Sequence, residues 1–266
     1  FFVFYLLVGY RKQVVYSNLK RSFPEKSEAE RKQLQLQFYS YFFDLALETV
    51  KSLRISPREL RKRISFEDTS IFQRYFEHGQ SIIIVIGHYG NWELAGARFA
   101  LEPLHKLYVV YHPLHNKYLD QLMYKMRTRF GNGLYSMKGT LRGMLANRKN
   151  VTATAFIADQ TPAPDSAYWM DFLNQDTPVF KGTGKIANKF NYPVVYASIK
   201  RVRRGYYSIH LEELCATPSK VDPEEIVQRF TKKLEQDIRE MPEIWLWTHR
   251  RWKHKRQSQK NSQLHA

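Results

Sequence analysis

Thirteen residues decide the fold of this chain: Ser81-Ile82-Ile83-Ile84-Val85-Ile86-Gly87-His88-Tyr89-Gly90-Asn91-Trp92-Glu93. The continuous apolar run that opens the stretch is typical of a strand buried on both faces of a parallel sheet. Two glycines then bracket a histidine and permit a tight turn, and Asn91 is a natural helix N-cap. The stretch therefore predicts a strand–turn–helix unit with His88 at the carboxyl end of the strand, where open α/β sheets place their sites.

Alternating strand-like and helix-like segments extend outward from this stretch. Short apolar runs predict further strands at residues 107–111, 151–157, 194–200 and 206–211. Helical patterns lie between them at residues 91–101, 114–130, 138–147 and 182–190, and a last helix begins at the cap Asp222-Pro223. This alternation predicts an α/β fold with a largely parallel or mixed sheet flanked by helices.

The part of the chain before residue 64 is predicted to be helical, and it opens with the apolar segment FFVFYLLV at residues 1–8. Eight helical residues reach about 12 Å, whereas roughly 20 residues are needed to span a bilayer. Because Arg11 and Lys12 follow closely, we interpret this segment as the end of a membrane anchor, although a buried helix start explains it nearly as well. We therefore expect an anchor remnant with a helical, membrane-associated region at 1–63, an α/β domain at 64–256 and a disordered tail at 257–266.

The composition points to an anionic partner. The 42 lysine and arginine residues exceed the 25 acidic residues and give a net charge of +17. Together with 15% aromatic residues, this charge suits a membrane surface or single-stranded nucleic acid equally well. The single cysteine, Cys215, excludes an internal disulfide and a cysteine-based zinc cluster.

His88 and Glu93 are the candidate catalytic pair. Asn91 as the cap places Glu93 in the first helical turn, and across the turn its carboxylate could fold back to one imidazole nitrogen of His88. The other nitrogen would then accept a proton, which is the base–orienter relation of acyl-transfer sites. A structural alternative is a histidine that bonds a loop carbonyl beside a glutamate that complements the helix dipole.

Other site chemistries fit the sequence poorly. No G-x-S-x-G nucleophile elbow is present, and Gly182-Thr183-Gly184-Lys185 lacks the spacing and the hydroxyl residue of a phosphate loop. His112 and His115 could ligate a metal, but no clear third ligand accompanies them. We therefore expect neither a metal nor a cofactor.

Two further segments contribute candidate residues. Asp159 and Gln160 follow the predicted strand 151–157, again at a carboxyl end. Near the C-terminus, residues 242–253 mix Trp245, Trp247 and Trp252 with several cations. Such a mixture is typical of an interfacial membrane contact or of base stacking, and buried indoles with a solvated cationic rim explain it equally well.

These segments together resemble the late lipid A acyltransferases, bacterial membrane enzymes related to the glycerolipid acyltransferases. The resemblance covers nearly the whole chain and rests on an ordered set of motifs. In chain order they are Tyr10-Arg11-Lys12, Asn18-Leu19, Ser22-Phe23-Pro24, His88-x-x-x-x-Glu93, Val110-Tyr111-His112-Pro113, Leu141-Arg142-Gly143-Met144, Asp159-Gln160 and Trp247-Thr248-His249-Arg250-Arg251-Trp252-Lys253. The chain departs from the family at Gly87, where asparagine is frequent, and at His112, where arginine is usual and would clamp a phosphate better.

The resemblance implies an enzyme at the cytoplasmic face of the bacterial inner membrane. It would move a fatty acyl chain from an acyl carrier protein or coenzyme A thioester to a hydroxyl of a membrane lipid, in lipid A biosynthesis. His88 would act as the base and Glu93 as its orienter. The expected substrate-binding residues are Asn91, His112, Asp159, Gln160, Arg250 and Arg251. The basic surface would contact both the acidic donor carrier and the anionic membrane.

Two alternatives remain open at this point. Within the same chemistry, the acceptor could be a lysophospholipid or an amino-acid lipid. In a different class, the chain could be a basic, aromatic nucleic-acid-binding protein. The anchor-like residues 1–8 and the strand-end pair His88 and Glu93 argue against that class, so we expect no nucleic-acid partner.

Overall fold

The structure is a computed structural model that describes residues 9–102 and 104–256. The predictions of an anchor at residues 1–8 and a disordered tail at 257–266 lie outside the described residues. Within them the chain forms nine strands. Their bounds are β1 Ile64–Phe66, β2 Ile82–Ile86, β3 Lys106–Tyr111, β4 Gly133–Ser136, β5 Thr152–Ile157, β6 Ala167–Phe172, β7 Gln175–Phe180, β8 Val194–Arg203 and β9 Tyr206–Cys215.

The main sheet has seven of the described strands, in the order β1-β9-β8-β2-β5-β3-β4. Every neighbouring pair is parallel except β8 with β9, which are antiparallel. Strand β2 lies in the interior of the sheet, and all five of its residues are buried, as its uninterrupted apolar run predicts. The α/β class with a largely parallel, mixed sheet is confirmed.

The described helices form the N-terminal region and many of the connections between strands. Their bounds are α1 Lys12–Ser22, α2 Glu28–Ser52, α3 Pro57–Arg63, α4 Ser70–Glu77, α5 Trp92–Phe99, α6 Lys117–Thr128, α7 Thr140–Ala146, α8 Gly182–Phe190 and α9 Pro223–Glu240. A capping box starts α2 at Ser27 and Glu30, since each side chain accepts a hydrogen bond from the other residue's backbone N–H. Asp222 caps α9, with Pro223 in its first turn.

The N-terminal helices share one hydrophobic core with the sheet. Phe38, Tyr41 and Leu45 of α2 are buried in the same cluster as strand β2. In residues 9–102 and 104–256, no helix combines the length and the apolar character needed to cross a bilayer. The domain boundary after residue 63 stays a prediction.

Four strands escape prediction because their sequence signals are weak. Strands β1 and β4 have three and four residues, too few to establish a period-two pattern. Strands β6 and β7 form a separate antiparallel hairpin whose turn places Leu173 and Asn174 at positive φ. Pro178 within β7 also argues against a strand there in sequence, because proline lowers strand propensity.

Candidate active site

The loop between β2 and α5 carries His88 in a tightly determined conformation. Gly90 has a φ of +62°, and an added Cβ would lie 2.0 Å from the carbonyl oxygen of Ile199. Only glycine fits there, because a side chain would clash with backbone. A Cβ on Gly87 would lie 2.6 Å from Cδ1 of Leu234, so a larger residue before the histidine would require that side chain to move. The loop therefore holds His88 at a defined position beyond the end of β2.

Asp159, and not Glu93, binds the imidazole of His88. Nδ1 of His88 lies 2.6 Å from Oδ1 of Asp159, and the backbone N–H of His88 donates to Oδ2 at 2.8 Å. The contact follows from strand pairing, because Ile86 of β2 is in register with Ile157 of β5 and each polar residue comes two positions later. With Nδ1–H donated to the carboxylate, Nε2 of His88 is the nitrogen left to accept a proton.

The carboxylate of Asp159 is buried but richly bonded. Besides His88, the indole Nε1 of Trp245 donates to Oδ2 at 2.8 Å. Burial on its own would raise the pKa of Asp159, but the charge and hydrogen bonds of His88 and the bond from Trp245 lower that pKa to about 2. Asp159 is therefore ionised at neutral pH.

Glu93 is held by an arginine. Its two carboxylate oxygens accept hydrogen bonds from Nε and Nη2 of Arg127 at 3.0 and 2.5 Å, a bidentate pair. Burial lowers the pKa of Arg127, but the hydrogen bond and charge of Glu93 outweigh burial and raise it. The structure thus gives Glu93 the predicted place in the first turn of α5, yet pairs it with Arg127 instead of orienting His88.

A cavity of about 450 Å³ opens beside these residues, a volume within the range of small-ligand sites. Strands β2, β3 and β5 line it with apolar side chains, among them Ile84, Ile86, Leu107, Val109, Ala155 and Ile157. The polar lining residues His88, His112 and Gln160 follow the carboxyl ends of the same three parallel strands. The cavity therefore runs from a polar mouth at His88 along the apolar face of the sheet.

The structure places the predicted binding residues in two groups. Gln160 and His112 line the cavity, and Nε2 of Gln160 lies 3.3 Å from Nε2 of His88, where the amide can donate to an unprotonated nitrogen. Asn91 is fully buried behind the loop. Its Oδ1 caps α5 by accepting from the N–H of Leu94 at 2.9 Å, and its Nδ2 donates to Glu48 at 2.6 Å. Asn91 thus fixes the helix start instead of facing the cavity.

The C-terminal segment, residues 244–252, is a support for the His88 loop. Of the alternatives left open for Trp245 and Trp247, the structure shows buried indoles, since they are 2% and 0% exposed. Backbone N–H groups of Leu246 and Gly90 donate to the carbonyls of His88 and Ile244 at 3.0 and 3.1 Å, so these bonds hold the two segments together. Both indoles are packed in the core, a role that an apolar body with one polar N–H serves well.

Arg250 and Arg251 lie apart from the residues that line the cavity. Arg250 is exposed, whereas Arg251 is only 1% exposed and donates to the carbonyl of Pro178 at 2.7 Å. Burial lowers the pKa of Arg251 to about 10. The structure thus gives the guanidinium of Arg251 a buried packing contact, and its expected phosphate contact stays a prediction.

Residues of the motifs near the N-terminus also contact the C-terminal segment 244–252. Nδ2 of Asn18 donates to the carbonyls of Trp247 and His249 at 3.0 Å each, and Nη1 of Arg11 donates to the carbonyl of Thr248 at 3.0 Å. Phe23 packs on Trp247 with ring centroids 5.8 Å apart. Motifs at the two ends of the chain thus form one structure that holds the His88 loop from behind.

Two contributors to the site were missed in the sequence. Arg127 gives only a weak signal, one cation among the apolar positions of a predicted helix. Trp245 belongs to a motif whose composition suits a surface contact and a buried position equally well. Asp159 has a clear strand-end position, and adjacency of two buried parallel strands is the signal that pairs it with His88. Among the described residues, no three His, Cys, Asp or Glu side chains gather as metal ligands would.

Comparison with known proteins identifies the family of this chain. Residues 3–254 match the family described as bacterial lipid A biosynthesis acyltransferase. The chain is similar to the lipid A biosynthesis palmitoleoyltransferase and lauroyltransferase of Escherichia coli (strain K12), with 23% identity over 248 residues and 24% over 246, each covering 91% of this chain and 79% of the relative. It is also 19% identical to the myristoyltransferase of that organism over 232 residues, 86% of this chain and 71% of the relative. The chain belongs to the bacterial lipid A biosynthesis acyltransferase family and is an acyltransferase.

Proposed function

We propose that this enzyme transfers a fatty acyl chain from a thioester to a hydroxyl of a membrane glycolipid, with His88 as general base. The observation that carries the proposal is the imidazole of His88, bonded to a buried carboxylate at the mouth of an apolar cavity. The cavity would hold the acyl chain along the sheet, so that the thioester carbonyl lies beside Nε2 of His88. General-base help of this kind contributes roughly 10²–10⁴-fold in rate.

The chemical step uses groups of this chain alone. Nε2 of His88 takes the acceptor hydroxyl proton as that oxygen attacks the thioester carbonyl, and Asp159 stabilises the imidazolium that forms. Collapse of the tetrahedral intermediate expels the thiolate, which receives the proton back from His88. Backbone N–H groups of Trp92 and Glu93, in the first turn of α5, are the proposed donors to the oxyanion.

The charged residues of the cavity have separate roles in this proposal. Arg127 and His112 line the cavity, and they are the groups at which an anionic acceptor or the phosphate of the donor arm would bind. Glu93 keeps Arg127 in place through its bidentate contact. Because His112 carries less positive charge than an arginine would, we expect this chain to bind the acceptor phosphate more weakly than relatives with arginine there.

Donor, acceptor and location follow from the same chemistry. The net charge of +17 would attract both an acidic acyl carrier protein and the anionic cytoplasmic leaflet of the inner membrane. Acyl carrier protein is the preferred donor and acyl-coenzyme A the alternative. A lipid A precursor is the preferred acceptor, and a lysophospholipid or an amino-acid lipid would use the same base. The indoles of Trp245 and Trp247 are buried and cannot stack on bases, which argues against the nucleic-acid alternative.

The test is reconstitution with defined donors and acceptors. Purified protein in detergent micelles is given acyl carrier protein or coenzyme A carrying the same acyl chain, together with a lipid A precursor, a lysophospholipid or an amino-acid lipid. Mass spectrometry of the lipids and thiol release should show ester formation on the glycolipid, with no transfer by His88→Ala. Thiol release without any acylated lipid would contradict transfer, and preferred acylation of another lipid would reassign the acceptor.

A further inference from the structure

Helix α6 and the loop before it present apolar side chains to solvent. Tyr118 is 86% and Leu119 is 53% exposed, and Leu114 and Leu122 are also exposed. Tyr118 and Leu122 are four residues apart, so they lie on one side of the helix. Single exposed apolar residues are ordinary, but several together on one short element mark a contact surface.

Helix α7 and the short turn before it continue the same pattern. Met137, Leu141 and Leu145 are exposed, and their spacing of four residues aligns them along one side. Both helices contact β4, the edge strand of the sheet. We call the exposed residues Leu114, Tyr118, Leu119, Leu122, Met137, Leu141 and Leu145 the α6–α7 face.

The α6–α7 face is continuous with the mouth of the cavity. Leu114 and Met137 belong to the face and also line the cavity, beside His112. An acyl chain or lipid that entered the cavity would therefore pass between the two halves of the face. This continuity connects the exposed apolar residues to the reaction site.

The charges around the face are almost all of one sign. Residues 113–150 contain eight lysines and arginines but one acidic residue, Asp120. Lys117, Lys125, Lys138 and Arg142 are exposed, and no carboxylate among residues 9–102 and 104–256 forms an ion pair with them. An apolar strip rimmed by unpaired cations is complementary to an anionic lipid surface.

We infer that the α6–α7 face docks on an anionic bilayer and opens the cavity mouth toward the lipid headgroups. The inference rests on the proposed function in one respect, since it gives that reaction its route for lipid entry. The C-terminal cations Lys253, Lys255 and Arg256 are an alternative membrane contact, but Arg256 pairs with Asp176 and the indoles Trp245 and Trp247 of that segment are buried. Tyrosine and leucine side chains insert at headgroup depth while the cations meet lipid phosphates.

Insertion is tested with a polarity-sensitive fluorophore at one position. Tyr118→Cys is labelled in the full chain, where the other cysteine, Cys215, is buried. The matched control is Val202→Cys, which is 68% exposed but lies at the end of β8, across β2 from the edge strand β4. Vesicles of phosphatidylglycerol with phosphatidylcholine should shift the emission of the 118 label to shorter wavelength and leave the 202 label unchanged. No shift at 118, or equal shifts at both positions, would overturn the inference.

The charge contribution is tested by vesicle co-sedimentation. Changing Lys117, Lys125, Lys138 and Arg142 to Gln should weaken binding to the phosphatidylglycerol vesicles by roughly 100- to 1,000-fold at low salt, and by less at high salt. The matched control changes Lys253, Lys255 and Arg256 to Gln and should weaken binding much less. A control variant that loses as much affinity as the α6–α7 variant would return the membrane contact to the C-terminal segment and overturn the inference.

A second copy of this chain is the competing occupant of the face. Sedimentation equilibrium in lipid-free buffer should show the same mass for wild type and for Tyr118→Ser with Leu122→Ser and Leu145→Ser. A dimer that this triple variant disperses would make the face a protein interface and contradict the inference. The same triple variant should keep its kcat in detergent micelles, because none of the three residues lines the cavity.

Failure of this inference is distinguishable from failure of the proposed function. His88→Ala should lose acyl transfer yet give the wild-type fluorescence shift and vesicle affinity. If His88→Ala stays active while the 118 label inserts, the mechanism fails and the membrane face stands.

Discussion

Two carboxylates lie near His88, and their surroundings differ in every respect that matters for catalysis. Asp159 is buried, contacts Nδ1 and the backbone N–H of His88, and has its pKa lowered to about 2. Glu93 faces the cavity and is occupied on both oxygens by Arg127. Glu93 is five positions from the histidine and Asp159 is 71 positions away. The comparison teaches that the sheet, and not closeness in sequence, selected the orienting carboxylate.

The largest effect is expected at His88, whose imidazole is contacted by Asp159 and not by Glu93. His88→Ala should lower kcat at least 10³-fold, because it removes the proposed base while its side chain contributes little to the core. The measurement is single-turnover acyl transfer, with circular dichroism and thermal unfolding as controls for the fold. If His88→Ala kept most of the wild-type kcat, His88 would not be the base, and neither carboxylate would act through it.

The next change separates Asp159 from Glu93. Asp159→Asn keeps the shape but loses the charge that stabilises the imidazolium, so kcat should fall by roughly 10²–10⁴-fold with KM nearly unchanged. A loss smaller than that of Glu93→Gln would reverse the assignment of the two residues.

A smaller effect is expected at Glu93. Glu93→Gln should reduce kcat/KM by about 10-fold, mostly through KM, because it frees one side of Arg127 without touching the nitrogens of His88. The conservative partner Arg127→Lys should produce a similar change, and the double variant should add little to either. If Glu93→Gln lowers kcat as strongly as Asp159→Asn, Glu93 acts at the reacting atoms.

The smallest effect is on stability in acid. A carboxyl group whose folded pKa is depressed stabilises the protein above its unfolded pKa near 4, and that stability is lost as the pH falls toward 2. Wild type should therefore lose about 2 kcal/mol from this group between pH 4 and 2. Asp159→Asn should lack this component, whereas Glu93→Gln should keep it. Urea unfolding at each pH measures the difference, and equal slopes for both variants would contradict it.

Local sequence patterns predict much of the fold and part of the site. Five consecutive apolar residues determined that β2 is buried, and Ser27 and Asp222 determined where α2 and α9 begin. The two glycines and Asn91 around His88 determined the turn and the cap that present the histidine. Each of these features depends on interactions within a few residues, which is why a pattern of neighbours is enough to predict it.

Only the tertiary structure decided which groups meet His88 and which surfaces stay exposed. Asp159 reaches His88 because β5 is the neighbour of β2, and strand order is not encoded by any local period. Tryptophan and arginine suit either a core or a membrane interface, and packing assigned Trp245, Trp247 and Arg251 to the core. The leucines and Tyr118 of α6 and α7 gave no such signal in sequence, yet the edge strand they flank has no further neighbour to cover them within the described residues. Burial depends on what packs against a segment, so it is decided by the whole fold.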